Sequence, residues 1–201
     1  MKTYHLYLIR HGQTRGNEEG LYIGSTDLPL SEKGRAELER LMTERDYPKP
    51  EIVYTSPLER CVQTADLLFP ERELVEVEDL REMDFGAFEG CKAVELAELE
   101  SYKKWLKGGL DNAPPNGETL REVITRCYSS VHSILLHMMQ NDYSEAAVVT
   151  HSGIIMNICS CFGLPKRPAL EYAAEPGTGF EVMTTAQLWQ QGGALEIVGA
   201  I

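Results

Sequence analysis

Short runs of β-branched and aromatic residues alternate with longer helical patterns along this chain, and that alternation limits its fold more than any other feature. Strands that alternate with helices are typical of α/β domains built on a mainly parallel sheet. The length of 201 residues favours one domain, so residues 1–201 are interpreted as a single domain. The predicted strands are at 4–9, 51–54, 74–77, 146–150, 179–184 and 195–198.

Apolar residues at helical spacing predict four main helices between these strands. One begins at Ser56, which would cap it, with Pro57 in the first helical position. The others are expected at about 31–46, at 116–140, and from Gly153 to just before Gly163. Three intervening stretches are predicted loops and candidate walls of a site: 16–30, 84–92 and 107–117.

The net charge indicates which partners the chain could bind. Aspartate and glutamate number 31 against 19 lysines and arginines, a net charge of −12, which disfavours nucleic acid and anionic membranes as partners. An anionic substrate would therefore be small and held by a local cluster of positive groups.

The cysteines indicate a reducing environment. The chain has five of them, an odd number, with no Cys-x-x-Cys pair, and its first residues carry no secretory pattern. We expect reduced thiols and a cytoplasmic location.

Charged side chains follow four of the predicted strands at the point where each strand ends. Arg10 and His11 follow the first strand, and Arg60 lies in the first turn after the second. Glu82 follows the third strand and His151 the fourth. Because ligands bind outside the carboxyl ends of the strands in open α/β sheets, we expect these five side chains to lie in one crevice.

This set of residue types suits the transfer of a phosphoryl group. Arginine offers paired donors for phosphate oxygens, and a neutral imidazole can attack phosphorus to form a phosphohistidine. A second, protonated histidine can stabilise charge on those oxygens, while a carboxylic acid protonates the leaving group and then activates water. Helices beginning just after Gly12 and Gly153 would point further backbone N–H groups at the anion.

A more specific pattern extends over most of the chain. It comprises the segments at 8–14 with Asn17, at 24–34, at 54–65, at 81–86 and at 149–153. In this order the segments resemble the histidine phosphatase superfamily, in its phosphoglycerate mutase-like branch, with Arg10-His11-Gly12 as the signature. The resemblance implies a three-layer α/β/α sandwich with a mainly parallel central sheet.

The resemblance also implies a role for each matching residue. His11 would be the nucleophile, and Glu82 the proton donor, with Asp84 as its nearest rival. Arg10, Arg60 and His151 would bind the phosphoryl oxygens. No metal and no cofactor would be needed, and further contacts to substrate would come from Thr14, Asn17, Gly24 and Ser152.

The resemblance favours a phosphatase over a mutase. Family mutases carry a longer segment between the acid and the second histidine, and Arg-His-Tyr where this chain has 83–85. The segments 81–90 and 114–119 resemble α-ribazole phosphatases, although Phe88 stands where tryptophan is usual and Asn116 where glycine is usual. The substrate would be a small phosphorylated metabolite.

Two alternatives stay open: a cofactor-dependent phosphoglycerate mutase and a catalytically silent phosphate-binding module. A homo-oligomer is compatible with the family, whose members are found as monomers, dimers and larger assemblies. The part played by 84–118 in specificity is left open by the sequence.

Overall fold

A computed structural model describes residues 2–201 and joins seven strands in one sheet. They are β1 (Thr3–Arg10), β2 (Ile52–Thr55), β3 (Leu74–Glu76), β4 (Glu145–Thr150), β5 (Gly163–Leu164), β6 (Gly179–Thr185) and β7 (Leu195–Ala200). The order across the sheet is β3-β2-β4-β1-β6-β7-β5. The strands β3, β2, β4 and β1 run parallel to one another, whereas β6 is antiparallel to both β1 and β7. The predicted mainly parallel sheet is confirmed.

Helices cover both faces of the sheet and give the expected three layers. They are α1 (Arg15–Glu19), α2 (Glu32–Glu44), α3 (Glu59–Leu68), α4 (Ala93–Leu96), α5 (Glu100–Leu106), α6 (Leu120–Gln140), α7 (Ser152–Phe162) and α8 (Ala186–Gly192). The long helix α6 and α7 share one apolar core, and α3 contributes to a second. Because successive strand residues point to opposite faces, Val148 of β4 lies in the first core and Val149 in the second.

The helix expected from Ser56 begins later, at Glu59, and the capping role predicted for Ser56 was wrong. The N–H of Ser56 donates to the carbonyl of Val149 at 3.0 Å, so the chain continues along β4 for one residue beyond β2. Backbone pairing with the sheet thus overrides the local signal for a helix start, and the Ser56 hydroxyl becomes available for another partner.

The helix expected from Asn116 also begins later, at Leu120, where Thr119 and Glu122 form a capping box. Asn116 has a φ of 61°, in the left-handed region that only glycine adopts freely and that asparagine tolerates best among the other residues. This backbone explains why glycine is usual at the position and why asparagine can replace it. The short elements α1, α4, α5, α8 and β5 were not predicted.

Residues 84–118, which we call the 84–118 segment, contain a small apolar core that is separate from the two cores on the sheet. Phe88, Leu96 and Tyr102 are buried in it, and Trp105 and Tyr22 pack against them. The segment is tied to the loop after α1, because the Tyr22 and Tyr102 hydroxyls lie 2.8 Å apart and the N–H of Tyr22 donates to the carbonyl of Cys91. The predicted loop 84–92 therefore belongs to a packed structure.

All five cysteines are free, and Cys61, Cys127 and Cys159 are buried. Within residues 2–201, no helix is both long and apolar enough to cross a membrane.

Candidate active site

The parallel register brings the predicted strand ends to one edge of the sheet. Arg10, the last residue of β1, is aligned with Thr150, the last residue of β4. The N–H of His11 donates to the carbonyl of Thr150 at 2.9 Å, and Ser56 follows β2 on the other side of β4. Arg10, His11, Ser56 and His151 therefore come together because β4 lies between β1 and β2.

His11 is held in one tautomer. Its Nδ1 lies 2.6 Å from the carbonyl oxygen of Gly12, and because a carbonyl only accepts, Nδ1 carries the proton. The lone pair is left on Nε2. Burial, and then the positive charge of Arg60, lower the pKa of His11 to about 3. At neutral pH the ring is uncharged, which is the form that can act as a nucleophile.

His151 faces His11 in the same pocket, with the ring centroids 5.1 Å apart. The side chain is fully buried, and its Nε2 lies 3.0 Å from the Ser56 hydroxyl. Burial, followed by the neighbouring His11 and Arg60, holds the pKa of His151 well below its usual value. A bound phosphate dianion would oppose this effect, because a nearby negative charge favours the protonated ring.

Two guanidinium groups bring positive charge to this pocket. Arg60 is 1% exposed and donates to the carbonyls of Gly24 (2.8 Å) and Thr26 (2.9 Å). Arg10 donates through Nη1 to the carbonyl of Ala174 at 2.7 Å, while its buried Nε finds no acceptor among residues 2–201. Neither arginine forms an ion pair within that range. Their charge and donors are thus available to an anion.

Glu82 is fixed by backbone donors at the same edge. The N–H groups of Met83 and Gly153 donate to its two carboxylate oxygens at 2.9 and 3.1 Å. Burial outweighs these bonds and raises the pKa of Glu82, so its protonated form persists to higher pH than usual. A side chain at position 153 would place Cβ 2.4 Å from Glu82 Oε1 and would force the carboxylate to shift, so glycine allows the observed position of Glu82. The rival acid Asp84 accepts the N–H of Gly86 in a local turn.

The residues predicted to make further contacts to substrate differ in burial and in hydrogen bonding. Thr14 is fully buried and caps α1, and its hydroxyl and N–H both donate to the Asn17 side-chain oxygen. Gly24 packs so closely on the carbonyl of Met83 that a Cβ would lie 1.8 Å from it. Ser152 is the first residue of α7, so its N–H has no acceptor within the helix.

The helix starts predicted just after Gly12 and Gly153 are displaced by a few residues. The N–H groups of the two glycines are engaged within the protein, that of Gly12 by the Thr64 hydroxyl at 2.9 Å and that of Gly153 by Glu82. The two helices begin at Arg15 and Ser152 rather than after these glycines.

Arg126 of α6 positions the backbone around Glu82, and no sequence pattern indicated this role. Its guanidinium donates to the carbonyls of Asp79, Arg81 and Glu82 and forms a two-bond ion pair with Glu118 at 2.9 Å. Glu118 also accepts the N–H of Asp84 at 2.9 Å. The backbone on both sides of Glu82 is therefore tied to one ion pair.

Removing this ion pair should destabilise the protein strongly. Arg126 is 11% exposed in its side chain, and Arg126→Ala should lower the free energy of unfolding by about 3–5 kcal/mol, since it leaves Glu118 without its cationic partner and three carbonyls without the Arg126 donor. Urea denaturation measures the change. The matched control is Arg121→Ala in the same helix, which removes an exposed pair with Asp111 and should barely move the midpoint. Similar midpoints for the two variants would contradict the interpretation.

The sequence of this chain is similar to those of known phosphatases over most of its length. Residues 6–184 match the family model described as histidine phosphatase superfamily (branch 1). The chain is 32% identical over 156 residues to "Putative phosphoserine phosphatase 2" of Hydrogenobacter thermophilus, covering 75% of this chain and 74% of that protein. It is 29% identical over 178 residues to the adenosylcobalamin/alpha-ribazole phosphatase of Escherichia coli, covering 86% of each.

The fold of this chain is also similar to those of solved structures. The crystal structure of the alpha-ribazole phosphatase from Shigella flexneri superposes with a TM-score of 0.81 at 25% identity, over 97% of this chain and 95% of that one. A phosphoglycerate mutase from Bacillus anthracis, at 22% identity and a TM-score of 0.78, shares the fold over 98% of this chain and 92% of its own.

Proposed function

The chain belongs to the histidine phosphatase superfamily, branch 1, and on that premise we propose that it hydrolyses α-ribazole 5′-phosphate through a phosphohistidine on His11. Nε2 of His11 attacks phosphorus, and the bond from phosphorus to the ester oxygen breaks as Glu82 donates its proton to that oxygen. Glu82, now a carboxylate, takes a proton from water, which attacks the phosphohistidine. Inorganic phosphate leaves and His11 is restored.

The observation that carries this mechanism is the placement of a neutral His11 beside a buried Arg60 and a half-buried Arg10, neither of which has an ion-pair partner among residues 2–201. A buried cation is costly unless an anion compensates it. The donors left on Arg10 and Arg60 fit the equatorial oxygens of a phosphoryl group, where negative charge is stabilised in the transition state.

An apolar cavity of about 260 Å³ favours an aromatic substrate over phosphoglycerate or phosphoserine. Its wall includes Met83, the residue after the acid, together with Trp105, Leu106, Leu120 and Asn112. No charged side chain lines it, so the carboxylate of a phosphoglycerate or of phosphoserine would find no partner there. An apolar ring system such as the base of α-ribazole suits such a wall, and Trp105 offers it a ring surface.

A substrate comparison tests this assignment. With a chelator present, the purified chain should hydrolyse α-ribazole 5′-phosphate with a higher kcat/KM than phosphoserine, and should not convert 3-phosphoglycerate to 2-phosphoglycerate in the presence of 2,3-bisphosphoglycerate. Preferred hydrolysis of phosphoserine would overturn the substrate, and net mutase activity would overturn the phosphatase. Binding of phosphate or vanadate without hydrolysis of any substrate would indicate that the chain is a phosphate-binding module.

Trp105→Ala should show whether Trp105 contacts the base of the substrate rather than its phosphate. Loss of a ring that stacks on a base costs about 1–3 kcal/mol, so kcat/KM for α-ribazole 5′-phosphate should fall roughly 10- to 100-fold. The rate with phosphoserine should change far less and serves as the internal reference. Leu99→Ala, an exposed apolar residue of the same segment outside the cavity wall, is the matched control. Equal losses on both substrates would place Trp105 in the packing of the segment instead.

A further inference from the structure

The carboxylate of Glu89, in the 84–118 segment, binds a loop that the mechanism above does not use. Four backbone N–H groups donate to its two oxygens: those of Gly24 (2.9 Å), Ser25 (3.1 Å), Thr26 (3.2 Å) and Phe85 (3.1 Å). Hydrogen bonds to an ionised acceptor are about twice as strong as neutral ones. The backbone of 24–26 is therefore held firmly on its N–H side.

The same loop is bound from its carbonyl side by Arg60. The two terminal nitrogens of the guanidinium donate to the carbonyls of Gly24 and Thr26, at 2.8 and 2.9 Å. The peptides of 24–26 thus lie between a carboxylate that accepts from their N–H groups and a guanidinium that donates to their C=O groups. Each charge orients the peptide dipoles in the direction that the other one favours.

This arrangement keeps Arg60 fixed without neutralising it. Arginine has five N–H donors, and only two of them are engaged by the loop, so three stay available. A carboxylate in direct contact would both occupy those donors and compete with a phosphoryl group for the charge. Placing Glu89 on the far side of the loop supplies a negative charge and a rigid support, while Arg60 has no ion pair among residues 2–201.

We propose that Glu89 is a positioning residue for Arg60 and that it acts through the peptides of 24–26. The inference rests on the proposed function, in which Arg60 binds the phosphoryl oxygens. It also couples the 84–118 segment to the phosphate pocket, because Glu89 holds Phe85 of that segment and the 24–26 loop with the same carboxylate. Gly24 fits this junction, since a Cβ there would lie 2.7 Å from Glu89 Oε1.

Glu89→Gln tests the proposal, because glutamine keeps the shape but loses the charge and turns an amide N–H₂ toward N–H donors. The inhibition constant for vanadate should rise, and kcat/KM should fall, by roughly 10- to 100-fold, the scale for removing an outer partner of an active-site ligand. The losses should be alike for α-ribazole 5′-phosphate and phosphoserine, unlike those of Trp105→Ala. Glu95→Gln, which alters a carboxylate that accepts the backbone N–H of Lys92 in the same segment, is the matched control and should keep wild-type values.

A double-mutant cycle with Arg60→Lys shows whether Glu89 acts through Arg60. Lysine cannot bridge the two carbonyls with a planar fork, so Glu89→Gln should cost much less in the Arg60→Lys background than in the wild type. Additive losses, or a vanadate constant unchanged in Glu89→Gln, would overturn the proposal while leaving the proposed function intact. If Arg60→Ala itself leaves hydrolysis and vanadate binding unchanged, the proposed role of Arg60 fails, and the inference about Glu89 fails with it.

Discussion

His11→Ala should lower turnover roughly 10⁴- to 10⁶-fold, the scale seen when the nucleophile of a covalent mechanism is removed. The reason is that the Nε2 lone pair of His11 shares its pocket with Arg10 and Arg60, whereas Nε2 of His151, the other imidazole of the pocket, lies against the Ser56 hydroxyl. Turnover is measured with α-ribazole 5′-phosphate or, if the chain prefers it, with phosphoserine. A phosphoryl group should also be trapped on the wild-type protein.

The trapped species distinguishes a phosphohistidine from other adducts. Substrate labelled in its phosphate should leave label on the wild-type protein that is lost in acid and retained in alkali, and His11→Ala should retain none. His5→Ala is the matched control, because His5 lies at the opposite end of β1 and pairs with Glu181. Label that survives in His11→Ala, or activity without any acid-labile label, would contradict the mechanism.

The parts of the site that were predictable from sequence are those carried by strand ends. Arg10, His11 and His151 stand directly after apolar runs, and the parallel pairing of β1 with β4 is enough to bring them together. The periodicity of α6 likewise indicated a helix packed on the sheet. These features depend on local pattern and on the general geometry of parallel sheets.

The residues that were missed act through backbone atoms distant in sequence. Arg126 lies on a helix and binds the carbonyls of 79–82, and Glu89 binds the N–H groups of 24–26. Neither contact leaves a periodic signal, because both depend on how loops fold back over the sheet. Ser56 is the opposite case: its local signal was strong, but strand pairing determined its position. Its hydroxyl lies 3.0 Å from His151 Nε2 and accepts the N–H of Leu58 only at 3.4 Å, and the helix begins at Glu59.

Glu82→Gln should affect substrates according to how much their leaving group needs a proton. With an alkyl ester such as α-ribazole 5′-phosphate, loss of the general acid should slow phosphorylation of His11 roughly 10²- to 10⁴-fold. With p-nitrophenyl phosphate, whose leaving group departs unprotonated, phosphorylation should stay near the wild-type rate. Glutamine cannot activate water, so the second half-reaction should still be slow, and nitrophenol should appear in a burst equal to the enzyme present. Stopped-flow absorbance measures both phases.

The pH dependence follows from the direction of the shift. Burial raises the pKa of Glu82, so the acid stays protonated to higher pH than an exposed glutamate, and phosphorylation by an alkyl ester should decline as pH rises through that raised pKa. The decline should be absent in Glu82→Gln, which has no proton to lose. Asp84→Asn is the control for the rival acid. Its rates of phosphorylation with the alkyl ester and with p-nitrophenyl phosphate should both stay near those of the wild type. Equal losses on alkyl and aryl esters in Glu82→Gln would remove Glu82 from the role of proton donor, because a group that only shaped the pocket would not distinguish them.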